Sequence, residues 1–249
     1  MFIGCLMGLF GSFEQRLDGL LQEKPMIEIV TATRFNQRDF WKKSALGISL
    51  KRLSKGSRLI ANITFENQQG LPIIYNQRIQ SPDSQDMLVF THDDVWIDDF
   101  FLPERIRAGL KNFHILGVAG NRRRISNQNS WCFINNDFIW DTNANLSGSI
   151  AHGKKPFGTI SKYGETPAEC ELLDGVFLAV NKKMLLAQQI LFDPQFDFHF
   201  YDMDFCRSAK QKSLKIGTWP ICLTHQSSGV FGSKPWSEKY ELYLQKWGN

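Results

Sequence analysis

The chain has 249 residues, of which 43% are hydrophobic and 22% are charged, values typical of one globular α/β domain with a sizeable core. Its net charge of +4 suits an anionic ligand or a membrane surface but is too small to indicate nucleic-acid binding. The five cysteines are odd in number and show no metal-ligand spacing, which indicates reduced thiols in a cytoplasmic protein rather than a disulfide framework or a zinc site.

The N-terminal segment has the pattern of an amphipathic helix. Apolar residues recur at helical spacing over residues 1–24, and the apolar run at residues 2–10 is too short to span a bilayer. Arg16 is the only basic residue before Lys24, so we expect the helix to pack on the rest of the chain or on a second copy, with a membrane surface as the alternative. We therefore predict a helical extension at residues 1–24 and one domain at residues 25–249.

The first half of that domain alternates between strand and helix patterns. Strand patterns occupy residues 26–33, 59–65, 87–91 and 114–119. Helical patterns lie between them at residues 36–53, with Asn36 as the N-cap, at 70–79, and at 103–110, with Pro103 in the first turn. This alternation predicts a mostly parallel sheet flanked by helices.

The pattern changes at residues 120–169, which are rich in Asn, Ser, Gly and Lys. A long irregular stretch inside a domain is usually functional, so we expect an irregular excursion that faces a substrate. Regular elements return afterwards, at residues 172–180, 182–189, 201–212, 215–223 and 236–247.

A first acidic cluster follows a buried strand. The strand at residues 87–91 leads directly into His92, Asp93 and Asp94. Ligands of open α/β sheets bind beyond the carboxyl ends of the strands, and paired carboxylates there attract a hard cation that can hold a diphosphate. A capping or loop role for the two carboxylates is the alternative.

Three further positions have chemistry of the same kind. Asp202 and Asp204 start a predicted helix but do not share a face, so one can cap the helix while the other enters a cleft as a general base. His225 ends an apolar strand and precedes a loop of small residues. Alone, it is more simply an ordinary histidine. Together with the other clusters, it indicates a metal ligand beside a phosphate-binding loop. Asp174 and Gly175 form a predicted turn.

In kind and in order, these clusters resemble those of GT-A glycosyltransferases, especially family 2-like enzymes with an HDD-type metal motif. The resemblance implies an α/β, Rossmann-like GT-A fold with a mostly parallel mixed sheet in a single domain. The departures from the family pattern are Tyr201, which stands in place of the usual Glu, and His92, which replaces a common carboxylate. The resembling residues, in chain order, are Thr31, Thr33, Arg34, Asn67, Asn76, His92, Asp93, Asp94, Asp174, Gly175, Asp202, Asp204, Arg207 and His225.

The resemblance also implies roles. Asp94 and His225 would hold Mn²⁺ or Mg²⁺, and Asp202 would be the base of an inverting sugar transfer, with Asp204 as the alternate base. Asp174 and Gly175 would lie on the acceptor or sugar side. The nucleotide-diphosphate sugar, for which a UDP-sugar is the commonest case, would contact the first-strand residues Thr31, Thr33 and Arg34 together with Asn67, Asn76, His92 and Asp93.

The acceptor, the partners and two other functions remain open at this stage. The resemblance implies a glycan or lipid-linked acceptor in glycan or polysaccharide synthesis. The run Arg122-Arg123-Arg124 is expected to face an anionic or lipid-diphosphate acceptor, with a solvated basic turn as the alternative. A nucleotidyltransferase is disfavoured because residues 31–37 contain no glycine for a phosphate loop, whereas a GT-A-like binding protein with little turnover remains an alternative. We expect a cytoplasmic protein without a transmembrane segment, and leave open a homo-oligomer and peripheral membrane contact.

Overall fold

The fold is seen in a computed structural model, which describes residues 26–53, 58–227 and 229–248. The predicted amphipathic helix at residues 1–24 lies outside the described residues. The described strands are β1 (Ile27–Ala32), β2 (Leu59–Thr64), β3 (Met87–Thr91), β4 (Val95–Ile97), β5 (Ile115–Gly117), β6 (Ala119–Asn121), β7 (Leu146–His152), β8 (Thr159–Gly164), β9 (Ala168–Glu169), β10 (Leu172–Leu173), β11 (Phe177–Asn181), β12 (Ile216–Thr218) and β13 (Leu223–His225). The described helices are α1 (Gln37–Lys43), α2 (Ala45–Leu53), α3 (Leu71–Gln80), α4 (Leu102–Gly109), α5 (Lys182–Ala187), α6 (Tyr201–Gln211) and α7 (Lys234–Trp247).

The main sheet is mixed, as predicted. Its strand order in the described residues is β2-β1-β3-β11-β5-β12-β9. Strand β1 pairs in parallel with β2 and β3, and β5 pairs in parallel with β12, whereas β11 is antiparallel to both β3 and β5. The inner strands β1 and β3 are almost entirely buried, which explains their unbroken apolar sequences.

One predicted helix is two helices. The pattern at residues 36–53 divides at Ser44, whose backbone is extended. The Ser44 hydroxyl donates to the Phe40 carbonyl at 2.8 Å and accepts from the Gly47 amide at 2.9 Å, so its side chain bonds to the end of the first helix and the start of the second. The predicted cap is confirmed, because the Asn36 side chain accepts a hydrogen bond from the Asp39 amide.

The expectation of an irregular excursion at residues 120–169 is correct for residues 122–145, which contain no helix or strand, and wrong for the rest of the segment. This segment contributes β6, β7, β8 and β9, and it builds much of a second sheet of order β10-β6-β7-β13-β4, with β8 paired to β7. The apolar period was hidden because β7 is rich in small polar residues and is interrupted at Gly148, which has a φ of 100° next to a shift in register.

Two predicted strands are each divided between the sheets. The pattern at residues 172–180 is β10 and β11, separated by the turn at Asp174 and Gly175, and the pattern at residues 215–223 is β12 and the start of β13. Both breaks carry the chain from one sheet to the other. They bring the carboxyl ends of β3 and β13, the start of β11 and the start of α6 to one place. No helix among the described residues is long and apolar enough to cross a membrane.

Candidate active site

Three side chains form a cluster with metal-ligand chemistry. His92 and Asp94 follow β3, and His225 is the last residue of β13. One ligand atom from each of the three lies within 4.8 Å of the others, and the His225 Nε2 to Asp94 Oδ1 distance is 3.2 Å. Antiparallel pairing of β13 with β4 places His225 opposite Val95, so the sheet register brings the histidine to the acidic segment.

The charges of the cluster are set by its own members. Burial raises the pKa of Asp94, but the hydrogen bond and charge of His225, together with His92, outweigh burial and lower that pKa to about 2. Burial lowers the pKa of His225, but Asp94 raises it by more, so this imidazole holds its proton more tightly than an ordinary histidine. The carboxylate is therefore ionised throughout the physiological range.

Tyr201 fixes the tautomer of His92. The Tyr201 hydroxyl donates to the Gly175 carbonyl at 2.8 Å, and it lies 2.9 Å from His92 Nε2. Since the single hydroxyl proton is used on the carbonyl, His92 Nε2 must be the donor of the second bond. Burial lowers the pKa of His92, so the ring is neutral and its Nδ1 is left with a free lone pair. The residue that departs from the family pattern thus orients a potential metal ligand.

A separate cavity of about 300 Å³ lies at the ends of β1 and β2. It is lined in part by Thr33, Arg34, Asn67 and Asp93. The Thr33 hydroxyl donates to Asp93 Oδ2 at 2.5 Å, and Asn67 closes its own loop through bonds with the backbone of Gln69. Burial raises the pKa of Asp93, partly offset by the Thr33 bond.

Two predicted nucleotide-binding residues lie apart from this cavity. Thr31 is buried inside the sheet. Asn76 uses both ends of its amide on Phe192, to whose carbonyl it donates at 2.7 Å and from whose amide it accepts at 2.9 Å. Neither residue is among those that line the cavity.

Asp202 faces a larger pocket of about 390 Å³. Its Oδ2 accepts from the Gly175 amide and its Oδ1 from the Met203 amide, each at 2.9 Å. Burial raises the pKa of Asp202 to about 7, with a further contribution from the charge of Asp174. A carboxyl group with this pKa and two fixed oxygens is suited to accept a proton near neutral pH.

A strained turn aims Asp202. Phe200 precedes α6 with a φ of 66°, which is unusual for a residue other than glycine. Its ring packs on three aromatic rings of α7, those of Trp236, Tyr240 and Tyr243, at centroid distances of 5.3, 5.6 and 5.4 Å. The C-terminal helix therefore holds the turn from which Asp202 projects.

Asp204 lies on the opposite side of α6. It is fully buried, and its Oδ1 accepts from Trp247 Nε1 at 2.8 Å and lies 2.7 Å from Lys246 Nζ. Asp204 is not among the residues that line the larger pocket. The structure thus separates the two acidic residues that the sequence left as alternatives.

Sequence reasoning missed the aromatic wall of the larger pocket. The Trp140 and Tyr163 rings are parallel, 5.6 Å apart, and the Trp131 ring stands edge-on to Tyr163 at 5.1 Å. Trp131 Nε1 donates to Asp174 Oδ2 at 2.7 Å, which ties the wall to the predicted turn. His152, paired in register with His225, also lines the pocket. The aromatic content of residues 131–163 was the available signal.

Comparisons with known proteins place the fold. No protein-family profile matches the sequence, and no curated protein is similar to it in sequence. The chain aligns with the crystal structure of GalNAc-T7 with UDP, GalNAc and Mn²⁺ at a TM-score of 0.52 and 9% identity, over 90% of this chain and 49% of that one. It also aligns with S. aureus TarS 1–349 in complex with UDP at a TM-score of 0.45 and 10% identity, over 82% and 61% of the two chains. The chain thus spans about half the length of the GalNAc-T7 chain. It shares with that chain the GT-A glycosyltransferase fold, which is the fold predicted from the sequence.

Proposed function

We propose that this chain is a metal-dependent glycosyltransferase that moves a sugar from a nucleotide-diphosphate sugar to an acceptor hydroxyl with inversion. The observation that carries the proposal is one pocket in which Asp202 and the potential metal ligands His92 and His225 are all exposed to the same space. A base for the acceptor and a charge partner for the leaving group are the two groups that this reaction needs.

The cluster fits a divalent cation. Asp94 supplies an anionic oxygen, His225 an imidazole, and the tautomer of His92 leaves Nδ1 available. Two nitrogen ligands favour Mn²⁺ over Mg²⁺, because Mg²⁺ prefers oxygen. When bound, such an ion would stabilise the negative charge that develops on the diphosphate leaving group.

The smaller cavity suits the nucleotide. Thr33, Arg34, Asn67 and Asp93 offer hydroxyl, guanidinium, amide and carboxylate groups at the carboxyl ends of β1 and β2, where nucleotides bind in open α/β sheets. Because GalNAc-T7 has the same fold and was crystallised with UDP, we propose a UDP-sugar as donor.

The chemistry assigned to the chain is proton transfer and positioning. Asp202 takes the proton of the acceptor hydroxyl while that oxygen bonds to the anomeric carbon of the donor sugar. The bond from that carbon to the diphosphate oxygen breaks, and its electron pair leaves with the nucleotide. Asp174 and Gly175 hold the turn beside the sugar, since the Gly175 amide orients Asp202 and the Asp174 carboxylate is fixed by Trp131. We place this reaction in glycan or polysaccharide synthesis in the cytoplasm.

Calorimetry of UDP binding with and without Mn²⁺ tests the proposal. We expect binding that requires Mn²⁺ and that Asp94→Asn abolishes, while Asp137→Asn, the same change at an exposed position, has no effect. Incubation with a panel of UDP-sugars and Mn²⁺ should then release UDP and free sugar slowly. Binding without any release would favour a binding protein, and release of UMP with a sugar phosphate would contradict glycosyl transfer.

A further inference from the structure

The larger pocket contains no lysine or arginine among the described residues that line it. Its carboxylates are Asp174 and Asp202, and four histidines also line it, of which His92 and His225 belong to the candidate metal cluster. A site for a phosphorylated or acidic acceptor normally offers arginine or lysine, which pair with the anion. An anionic acceptor would instead meet two carboxylates without an arginine or lysine to pair with.

The arginine run that the sequence suggested for an anionic acceptor does not line this pocket either. Arg123 is bound to Asp141, with Nε to Oδ2 at 2.9 Å and Nη2 to Oδ1 at 2.7 Å. The same carboxylate accepts from the side chains of Asn121 and Asn145, and the ion pair lowers the pKa of Asp141 strongly. Arg123 therefore closes a structural network at the edge of the second sheet.

The aromatic wall offers a flat apolar face instead. Trp140 is 50% exposed, yet its ring is fixed, because Tyr163 stacks on it and Phe133 contacts it edge-on at 5.3 Å. An antiparallel bridge between Phe133 and Trp140 fixes the backbone as well. A rigid, half-exposed indole binds an apolar surface with little loss of conformational freedom.

Hydrogen-bonding groups surround that face. Asp174 accepts from Trp131 Nε1 and from the Val176 amide, which leaves lone pairs on both oxygens for a ligand hydroxyl. His152 also lines the pocket, and its Nε2 lies 3.2 Å from the Tyr163 hydroxyl. A pyranose ring has one apolar face and a rim of hydroxyl groups, and this wall presents the matching surfaces.

We infer that the acceptor is an uncharged saccharide, whose ring stacks on Trp140 and presents a hydroxyl to Asp202. This inference rests on the proposed function and names its acceptor class. Trp140 and Asp202 line the same pocket. We assign the stacked sugar as the acceptor and not the donor, because the acceptor hydroxyl is the group that must reach the base Asp202.

Saturation-transfer NMR on the full-length protein, loaded with UDP and Mn²⁺, provides the test. The probes are the methyl β-glycosides of glucose, galactose and N-acetylglucosamine, with methyl β-glucuronide as the anionic counterpart of the first. We expect at least one neutral glycoside to bind, and the glucuronide to bind more weakly than the glucoside. Trp140→Ala should weaken binding of the neutral glycoside by about tenfold or more, whereas Trp140→Phe should retain most of it.

Ile139→Ala is the matched control, because Ile139 is 51% exposed beside Trp140 but does not line the pocket. Tighter binding of the glucuronide, no binding of any neutral glycoside, or equal binding by the Trp140→Ala and Ile139→Ala variants would each overturn the inference. If Trp140→Ala raises the KM of a UDP-sugar in the hydrolysis assay, the wall belongs to the donor and the acceptor assignment is wrong. Calorimetry of UDP binding is a separate measurement. Absence of UDP binding there would count against the proposed function, whereas the NMR results above test the acceptor class.

Discussion

Replacing Asp202 by Asn should remove transfer activity and at the same time make the protein more stable above pH 7. The pKa of Asp202 is about 7 in the folded protein, raised first by burial and then by Asp174. In an unfolded chain the pKa of an Asp is about 4. The folded state therefore binds the Asp202 proton more tightly than the unfolded state does. The contribution of this proton to the free energy of unfolding is complete below about pH 4 and is lost as the pH rises through about 7.

The size of the effect follows from this difference. The pKa of Asp202 differs by about three units between the folded and the unfolded state. This difference corresponds to at most about 4 kcal/mol of destabilisation of the folded state at pH 8. Water at the open side of the pocket reduces this value. Asn also has one oxygen instead of two, so either the Gly175 or the Met203 amide loses its acceptor, at a cost of about 1 kcal/mol. We expect a net gain of about 1–2 kcal/mol at pH 8 and none at pH 5.

Urea unfolding of the wild type and of Asp202→Asn across pH 5–8.5 measures this gain, with Asp137→Asn as the control. Sugar transfer should fall by roughly 10²-fold or more in the Asp202→Asn variant, the usual scale for loss of a general base. The wild-type rate should rise with pH to a plateau above about pH 7, because the base must be unprotonated. A variant that is less stable at every pH, together with a wild-type rate that does not change between pH 5.5 and 8, would refute this account of Asp202.

Three further substitutions probe the surroundings of the site. Asp204→Asn should lower the free energy of unfolding by about 1–3 kcal/mol, because it breaks a buried pair with Lys246, but should leave kcat of the folded protein near wild type; a loss of kcat equal to that of Asp202→Asn would show that the base is Asp204. Tyr201→Phe should weaken Mn²⁺ binding by about 10–100-fold, as measured by calorimetry, since His92 Nε2 loses its acceptor; unchanged affinity would contradict the tautomer argument. Gly175→Ala should reduce kcat by roughly 10²-fold, because the added methyl would overlap the Tyr201 hydroxyl, and circular dichroism should show that the fold is retained; full activity would mean that this turn can move freely.

The alternation of strands and helices in the first half of the domain, and the ends of strands β3 and β13, could be predicted because both depend on local patterns. The apolar run before His92 and the one before His225 mark the carboxyl ends of β3 and β13, and ligands of open α/β sheets bind beyond such ends, although the two strands lie in different sheets. The tautomer of His92 could not be predicted, because it depends on a tyrosine 109 positions away. The same is true of Asp204, since only the contact with α7 shows which face of α6 it occupies.

The second sheet could not be predicted for a different reason. Its strand β7 has the composition of a loop, and it becomes a strand because β6, β8 and β13 supply its hydrogen bonds. Pairing partners distant in sequence override weak intrinsic preference in such strands. The bonds between the Asn76 amide and the Phe192 backbone could not be predicted either, because the two residues are far apart in the sequence.

The contact between α7 and the turn at Phe200 has a consequence for biosynthesis. A ribosome makes His92, Asp94 and Asp202 before it makes residues 234–247, so the nascent chain has its ligands and base before it has the helix that holds the base in place. A message truncated within α7 would yield a protein with every polar group of the site and without the rings that hold the Phe200 turn. Such a product should be folded poorly at the site and inactive, and a synthetic peptide of residues 233–248, added in trans, is the reagent with which to restore it.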